Sequence, residues 1–135
     1  MSENTVEYTL DELELNYTRF EFGKYLRNVR QAKKMSIREL SKKVNKTATY
    51  LSDIENGNNK PPDKELLEKI IKELNLEEHP KLKNNLFDLA AIERNDIPAD
   101  IKDYLIQNKT LLDMIRITKD RPNSKEIWQQ IAKTL

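Results

Sequence analysis

The chain has little or none of the residue types on which several protein classes depend. Its 135 residues include no cysteine, which excludes disulfides, thiolate nucleophiles and cysteine-bound zinc. Only two glycines are present, and neither lies in a glycine-rich phosphate loop. The single histidine, His79, lacks the partners of a catalytic triad or a histidine-based metal site. The sequence therefore predicts no enzyme, and no catalytic residue, metal, cofactor or small-molecule substrate.

Hydrophobic runs are also short. No apolar stretch approaches the roughly 18 residues that a membrane-spanning helix needs. Residues 1–15 are acidic and lack the basic and apolar blocks of a secretory signal. Together with the missing cysteines, these features predict a cytoplasmic protein without a membrane partner.

The net charge of +1 conceals an uneven distribution of charge along the chain. Residues 1–18 carry five acidic side chains and no basic one, and residues 19–60 carry eleven Lys or Arg against four acids. Residues 61–135 are close to balanced. A basic segment between acidic and neutral ones is the charge pattern expected of a nucleic-acid-binding surface.

Apolar residues recur at helical spacing almost throughout the chain, which predicts an all-α fold. In the basic segment, two short helices are separated only by residues 45–47. Ser36 is a suitable N-cap for the first of them, Thr47 for the second, and Asn56-Gly57 a suitable stop. So tight a joint indicates a helix-turn-helix.

The pattern at the start of the chain supports more than one structure. Val6, Tyr8 and Leu10 alternate as in a short strand, whereas Thr9 and Glu12 have the spacing of a helical capping box. A mobile acidic arm is equally consistent with this segment, because chain ends are often loose.

Residues 22–76 resemble the XRE-type (Cro/CI-like) helix-turn-helix repressors. The residues that carry the resemblance are Leu26, Arg27, Arg30, Ser36, Glu39-Leu40, Leu51-Ser52, Ile54-Glu55-Asn56-Gly57 and Leu66-Leu67. The resemblance implies a lambda-repressor-like helix-turn-helix domain followed by a small helical C-terminal module. We predict an acidic N-terminal arm over residues 1–18, an XRE-type DNA-binding domain over 19–78 and a helical C-terminal dimerisation module over 79–135.

The third helix of the basic segment has one apolar and one small polar face. Leu51 and Ile54 point toward the core on a helical wheel, and the opposite face carries small polar side chains, with Tyr50 at its margin. In an XRE-like fold this polar face enters the major groove. The predicted base-contacting residues are Ala48, Thr49, Tyr50, Ser52 and Asp53. A solvated helix face without a partner is the alternative.

Phosphate contacts are expected on both sides of that helix. The Ser36 hydroxyl and the free N–H groups of a helix N-terminus suit an anion, and family members grip the DNA backbone with the loop after the recognition helix. The predicted phosphate-contacting residues are Ser36, Lys43, Lys46, Thr47, Asn56, Asn58, Asn59 and Lys60. Each lysine is equally consistent with a solvated surface charge.

The family pattern also implies a structural ion pair and shows where this chain departs. An arginine at the end of the first family helix pairs with the glutamate before Asn-Gly, which makes Arg30 and Glu55 a partly buried pair. Ile37 stands where many relatives have a backbone-contacting glutamine. Lys46 replaces a buried aliphatic residue and Asn45 a turn glycine; asparagine tolerates the left-handed backbone.

The end of the chain, residues 119–131, resembles the tail of the Deinococcus-type damage-response repressors (the DdrO kind). Arg121-Pro122, Lys125 and Trp128 carry this resemblance. It implies a dimerisation module, which a partner zinc metallopeptidase inactivates by cutting near residues 114–119. The predicted dimer contacts are Ile115, Ile127, Trp128 and Ile131. An intramolecular core is the alternative for Trp128.

These features predict a sequence-specific double-stranded DNA-binding transcriptional regulator, in the simplest form a homodimeric repressor of a phage, mobile-element or stress-response promoter. The recognition helix carries no Lys or Arg, and residues 1–18 are acidic. These two features keep an alternative open, in which the protein is an antitoxin or regulatory adaptor that acts mainly through protein–protein binding.

Overall fold

A computed structural model describes residues 7–135 of the chain, and every regular element in that range is helical. The prediction of an all-α fold is confirmed. The helices are α1 (Leu10–Leu15), α2 (Phe22–Ala32), α3 (Ile37–Lys43), α4 (Ala48–Glu55), α5 (Lys64–Glu73), α6 (Pro80–Arg94), α7 (Ala99–Gln107), α8 (Lys109–Lys119) and α9 (Ser124–Ala132). Short 3₁₀ turns lie at Tyr17–Arg19 and Leu76–Glu78.

Local side-chain chemistry sets where α3 and α4 begin. The Ser36 hydroxyl accepts a hydrogen bond from the Glu39 N–H at 3.1 Å, and the Glu39 carboxylate accepts one from the Ser36 N–H at 3.2 Å. Thr47 caps α4 by accepting from the Tyr50 N–H at 3.0 Å. Between the two helices, Asn45 has a positive φ of 58°. The left-handed asparagine turns the chain sharply, so α4 packs against α3.

The chain divides into two compact units, Met1–Asp100 and Ile101–Leu135. In the first unit, α2 packs against α1, α4 and α6, and α3 packs against α4 and α5. One hydrophobic core joins these helices, and it includes the fully buried Leu13, Leu26, Leu40, Leu51, Ile70, Leu82 and Leu86.

This division differs from the predicted boundaries at residues 18 and 78. Leu13 of α1 and Leu86 of α6 are fully buried in the core of the helix-turn-helix segment, so both helices belong to its unit. The capping box of Thr9 and Glu12 is present, with the Glu12 N–H donating to Thr9 at 3.2 Å. Residues 7–15 are therefore not a short strand; residues 1–6 of the predicted arm, including Val6, lie outside the described residues.

A buried polar network ties α1, α2 and α6 together. The Tyr25 hydroxyl donates to the Leu13 carbonyl at 2.8 Å and accepts from the Asn85 amide at 3.0 Å. The same Asn85 amide reaches the Glu14 carbonyl at 3.4 Å. Burial raises the pKa of Tyr25 to about 12, although the hydrogen bond from Asn85 opposes the shift.

In the second unit, α8 packs against α9. No residue between Ile101 and Leu135 is buried. Several large apolar side chains of this unit are more than half exposed, namely Tyr104, Ile106, Ile117 and Leu135. A unit this small buries too little apolar surface to be stable by itself, according to the scaling of buried surface with chain length.

Candidate nucleic-acid interface

Helix α4 presents the two faces that the wheel predicts. Leu51 and Ile54 are buried in the core, with 0% and 1% of their surface exposed. On the other side, Thr49 is exposed, and Ala48, Ser52 and Asp53 are partly exposed. These four side chains form the outer face of α4, and short side chains of this kind can approach base edges closely.

Tyr50 lies at the margin of that face. Its ring is partly buried against the core, and the Lys46 ammonium lies 5.5 Å from the ring centroid. This distance is within the range of a cation–π contact. Lys46 occupies a position where an aliphatic side chain is usual in the XRE pattern, and here it is exposed. The ring of Tyr50 thus contacts both the core and the ammonium group of Lys46.

A nearly buried ion pair fixes α4 to α2. Glu55 accepts two hydrogen bonds from the Arg30 guanidinium, both at 2.8 Å, and the side chains are only 2% and 10% exposed. Arg30 also donates to the Met35 carbonyl at 2.9 Å in the segment before α3. One guanidinium therefore holds α2, α4 and the entry to α3 in register.

Gly23 of α2 lies directly against the backbone of α4. A Cβ atom at this position would come within 2.2 Å of the Ile54 carbonyl oxygen and 2.8 Å of that of Glu55. Only glycine permits this approach. The sequence reasoning did not single out Gly23; a glycine inside a helical pattern was the available signal.

The N-terminus of α3 holds the first predicted phosphate contact. The Ser36 N–H is already bonded to Glu39, so the group that Ser36 itself retains for an anion is its hydroxyl hydrogen. Lys43 and Thr47 are also exposed, at the end of α3 and the start of α4. The Glu39 carboxylate beside the hydroxyl adds a negative charge that a phosphate has to approach.

The loop after α4 is built by backbone turns. Gly57 has a φ of +79°, its N–H donates to the Ile54 carbonyl at 3.1 Å, and the Asn58 N–H donates to the Asp53 carbonyl at 2.8 Å. Asn59 accepts from the Lys60 N–H at 2.9 Å. The side chains of 58–60 are exposed and available to a backbone phosphate.

Asn56 differs from the other residues of this loop because its side chain is bonded within the protein. Its amide oxygen accepts from the Arg27 guanidinium, and its amide nitrogen donates to the Ser52 hydroxyl at 3.3 Å. Arg27 also lies 3.4 Å from Glu55. The Asn56 side chain is thus anchored to both α2 and α4.

Two side chains of α6 contact the start of α2 and the loop after α4. The Glu93 carboxylate accepts from the Phe22 N–H at 2.6 Å, which caps α2 in place of Glu21, whose side chain makes no capping bond. Arg94 donates to the Pro61 carbonyl in the loop after α4. Sequence reasoning missed both contacts, because the partners are distant in the chain and their charges resemble those of any solvated helix end.

The predicted dimer contacts lie in the second unit. Ile115 of α8 is 37% exposed, and Ile127, Trp128 and Ile131 of α9 are partly exposed. Trp128 is therefore not a fully buried core residue of the single chain.

Residues 26–79 match the helix-turn-helix family model HTH_3. The matched stretch runs from α2 to the end of the turn before α6, so it covers the Arg30–Glu55 pair and the whole of α4. It supports an XRE-type helix-turn-helix and, with it, a DNA-binding regulator, a class that is not typically enzymatic. Comparison with curated proteins and with solved structures gives no match. Within residues 7–135, the helices are too short or too polar to cross a membrane.

Proposed function

We propose that the protein is a dimeric, sequence-specific repressor that binds an operator in a phage, mobile-element or stress-response promoter. The observation that carries this proposal is the exposed outer face of α4, held by the Arg30–Glu55 pair inside a segment that matches the helix-turn-helix model. Binding to such DNA places its site of action in the cytoplasm.

In this function, α4 lies in the major groove. Thr49 and Ser52 hydrogen-bond base edges, and Ala48 or the Thr49 methyl contacts a thymine methyl. Asp53 accepts a hydrogen bond from a cytosine amino group, which restricts the operators that the helix tolerates. Tyr50 reaches a base or a phosphate from the margin of the face.

Backbone contacts supply the affinity that α4 lacks, because α4 carries no Lys or Arg. Lys43, Lys46 and Thr47 at the joint and the exposed side chains of 58–60 lie at opposite ends of α4. Phosphate contacts on both sides of a recognition helix fix its register in the groove. Asn56 acts here mainly through its protein partners.

Dimerisation is assigned to the second unit. Its small size and its exposed apolar side chains, among them Ile115 and Ile117, support binding to the same unit of a second chain. Two heads held by these units would read half-sites one helical turn apart, about 34 Å. Cleavage near residues 114–119 by a zinc metallopeptidase would cut α8 and release the heads as monomers.

The same exposed apolar side chains favour the second candidate function, a regulatory adaptor or antitoxin that binds another protein. Steep salt dependence of DNA binding separates the two, because a repressor that neutralises several phosphates releases counterions on binding. For an adaptor, we expect no steep dependence of DNA affinity on salt concentration.

The test is a selection of duplex DNA from a random library, followed by a salt titration on the enriched site. We expect a palindromic site with a steep salt slope. Replacing Lys46 and Lys60 by alanine removes four phosphate contacts per dimer and should lower the slope by about 3.6, at roughly 0.9 per contact. Lys125→Ala in α9 should not change the slope.

The same selection tests the placement of α4. Thr49→Ala or Asp53→Ala should change the preferred operator and leave the melting temperature near that of the wild type, since both side chains lie on the outer face. An unaltered site preference in both variants contradicts the placement, and a lack of any enriched DNA by the wild type contradicts the function itself.

A further inference from the structure

We propose that Ser52 reads a hydrogen-bond acceptor on the DNA, and that Arg27 fixes this polarity through Asn56. The proposal rests on the proposed function, since Ser52 belongs to the outer face of α4. It adds which chemical group the serine presents to the groove, which neither the helix-turn-helix match nor the sequence pattern determines.

The direction of the hydrogen bonds follows from the chemistry of Arg27. A guanidinium group only donates, so the atom of Asn56 that faces Arg27 is its amide oxygen. The amide nitrogen of Asn56 then faces the Ser52 hydroxyl, at 3.3 Å, and donates to it. The orientation of the amide, which could otherwise point either way, is set by its arginine partner.

The Ser52 hydroxyl therefore serves as an acceptor inside the protein. A hydroxyl has one hydrogen and two lone pairs; accepting from Asn56 occupies one lone pair on the side of Asn56 and leaves the hydrogen to be donated elsewhere. Ser52 is partly exposed on the outer face of α4. We infer that the hydrogen is directed to the groove, where purine N7, guanine O6 and thymine O4 accept, while cytosine offers an amino donor.

Arg27 is itself held in place. Its Nε lies 3.4 Å from a Glu55 oxygen, and Glu55 is bound on its other side by Arg30 at 2.8 Å. The Glu55 side chain is 2% exposed and that of Arg27 is 35% exposed, so the contact joins a buried acceptor to a partly solvated guanidinium. Arg27 thus acts as a positioning residue: it orients Asn56, and Asn56 orients the serine before DNA binds.

The test compares base preference in selections with the wild type and three variants. Ser52→Ala should lose the preference at one position of each half-site, a discrimination of about two- to tenfold for a single hydrogen bond. At that position, the wild type should prefer guanine, adenine or thymine over cytosine on the contacted strand.

Asn56→Asp should reverse the direction of the hydrogen bonds that Ser52 makes. A carboxylate accepts from Arg27 but cannot donate, so Ser52 gives its hydrogen to the new carboxylate and turns its lone pairs to the groove. Preference at the Ser52-dependent position should then move to cytosine or adenine, the bases with an amino donor in the major groove. The matched control is Asn59→Asp, which adds the same charge in the same loop and should lower affinity without changing the preferred base.

Arg27→Met is a second test of the positioning role. Without its guanidinium partner, the Asn56 amide can rotate, so the preference at the Ser52-dependent position should weaken without reversing. Lys24→Met, on the exposed side of the same helix, should leave the preference intact. Circular-dichroism melting of each variant establishes that it is folded.

The outcomes separate this inference from the proposed function. If the wild type enriches no DNA, the proposed function fails. If it enriches a site but Ser52→Ala keeps every base preference, or Asn56→Asp still selects guanine or thymine at the Ser52-dependent position, the assigned direction of the Ser52 hydrogen bond is overturned and the proposed repressor function stands. Should Asn56→Asp not fold, cytosine at the Ser52-dependent position of the wild-type site overturns the inference by itself.

Discussion

At the scale of single residues, two buried polar clusters contribute to the stability of the first unit. Arg30 and Glu55 satisfy each other by two hydrogen bonds of 2.8 Å. Tyr25 lies between a carbonyl of α1 and an amide of α6. Each group is costly to bury alone, so removing one partner leaves the other unpaired in the core.

Breaking the ion pair should therefore unfold the first unit rather than only weaken DNA binding. We expect Arg30→Met or Glu55→Gln to lower the free energy of unfolding by about 3–5 kcal/mol, as for other buried pairs that lose one partner. Urea unfolding followed by circular dichroism measures this loss. Arg27→Met, at a partly exposed position, should cost at most about 1 kcal/mol; equal losses for Arg27 and Arg30 would contradict the distinction.

The raised pKa of Tyr25 predicts a pH dependence at the alkaline side. The ordinary tyrosine pKa is 10 and that of Tyr25 is about 12, so the folded protein holds this proton more tightly than the unfolded chain. The stabilisation is fully present below about pH 10 and is lost as the pH rises through about 12.

Urea unfolding between pH 8 and pH 11.5 measures this effect at roughly 1.4 kcal/mol per unit of pKa shift. Tyr25→Phe should be less stable at pH 8, because Asn85 loses its acceptor, and should show a flatter decline above pH 10. Tyr104→Phe removes the hydroxyl of a residue that is 66% exposed and should behave as the wild type. A decline as steep in Tyr25→Phe as in the wild type would assign the alkaline loss to other groups.

At the scale of the elements, local chemistry made α3 and α4 predictable. Ser36, Thr47 and Asn45 cap or turn the chain through contacts within a few residues, and such contacts can be read from the sequence. The placement of α1 and α6 on the same core depends on packing over long chain distances. Tyr25 and Asn85 are 60 residues apart, and no periodicity reports that they meet.

The close approach of α2 and α4 gives a prediction at this scale. Gly23→Ala should destabilise the first unit, because a methyl group would collide with the carbonyl oxygens of Ile54 and Glu55. Overpacking of this kind costs about 1–3 kcal/mol, even though alanine favours helix formation. Differential scanning calorimetry measures the shift in melting temperature.

Gly57→Ala is the matched comparison for Gly23→Ala. A Cβ atom added at Gly57 would meet no other atom within 4 Å, but the φ of this residue is +79°. Gly57→Ala should therefore destabilise the protein through backbone strain alone, by about 1–2 kcal/mol. A Gly23→Ala protein that melts at or above the wild-type temperature would show that α2 and α4 separate freely.

At the scale of the whole molecule, the two compact units divide the roles that we propose. The first contains the helix-turn-helix match, and the second has no buried residue of its own. Removing residues 101–135 should leave a folded monomer whose operator affinity is reduced by at least tenfold, since two linked heads bind far better than one. Sedimentation equilibrium and a DNA titration measure the two quantities.

Substitution of the second unit controls for effects of the truncation. Ile115→Asp with Trp128→Ala should give the same monomer if these side chains lie in the dimer interface. A truncated chain that still dimerises would place the interface in the first unit and would contradict the assignment of the second.

The capping of α2 by Glu93 has a consequence for how the protein is made. The Phe22 N–H donates to the Glu93 carboxylate, which lies 71 residues later in the chain. Leu82 and Leu86 of α6 belong to the hydrophobic core against which the helix-turn-helix packs. Because domains fold as units during synthesis, the recognition helix cannot take up its final packed position until α6 has been synthesised. A newly made chain therefore acquires its DNA-reading surface only after residue 94 has been added, although α4 itself ends at residue 55.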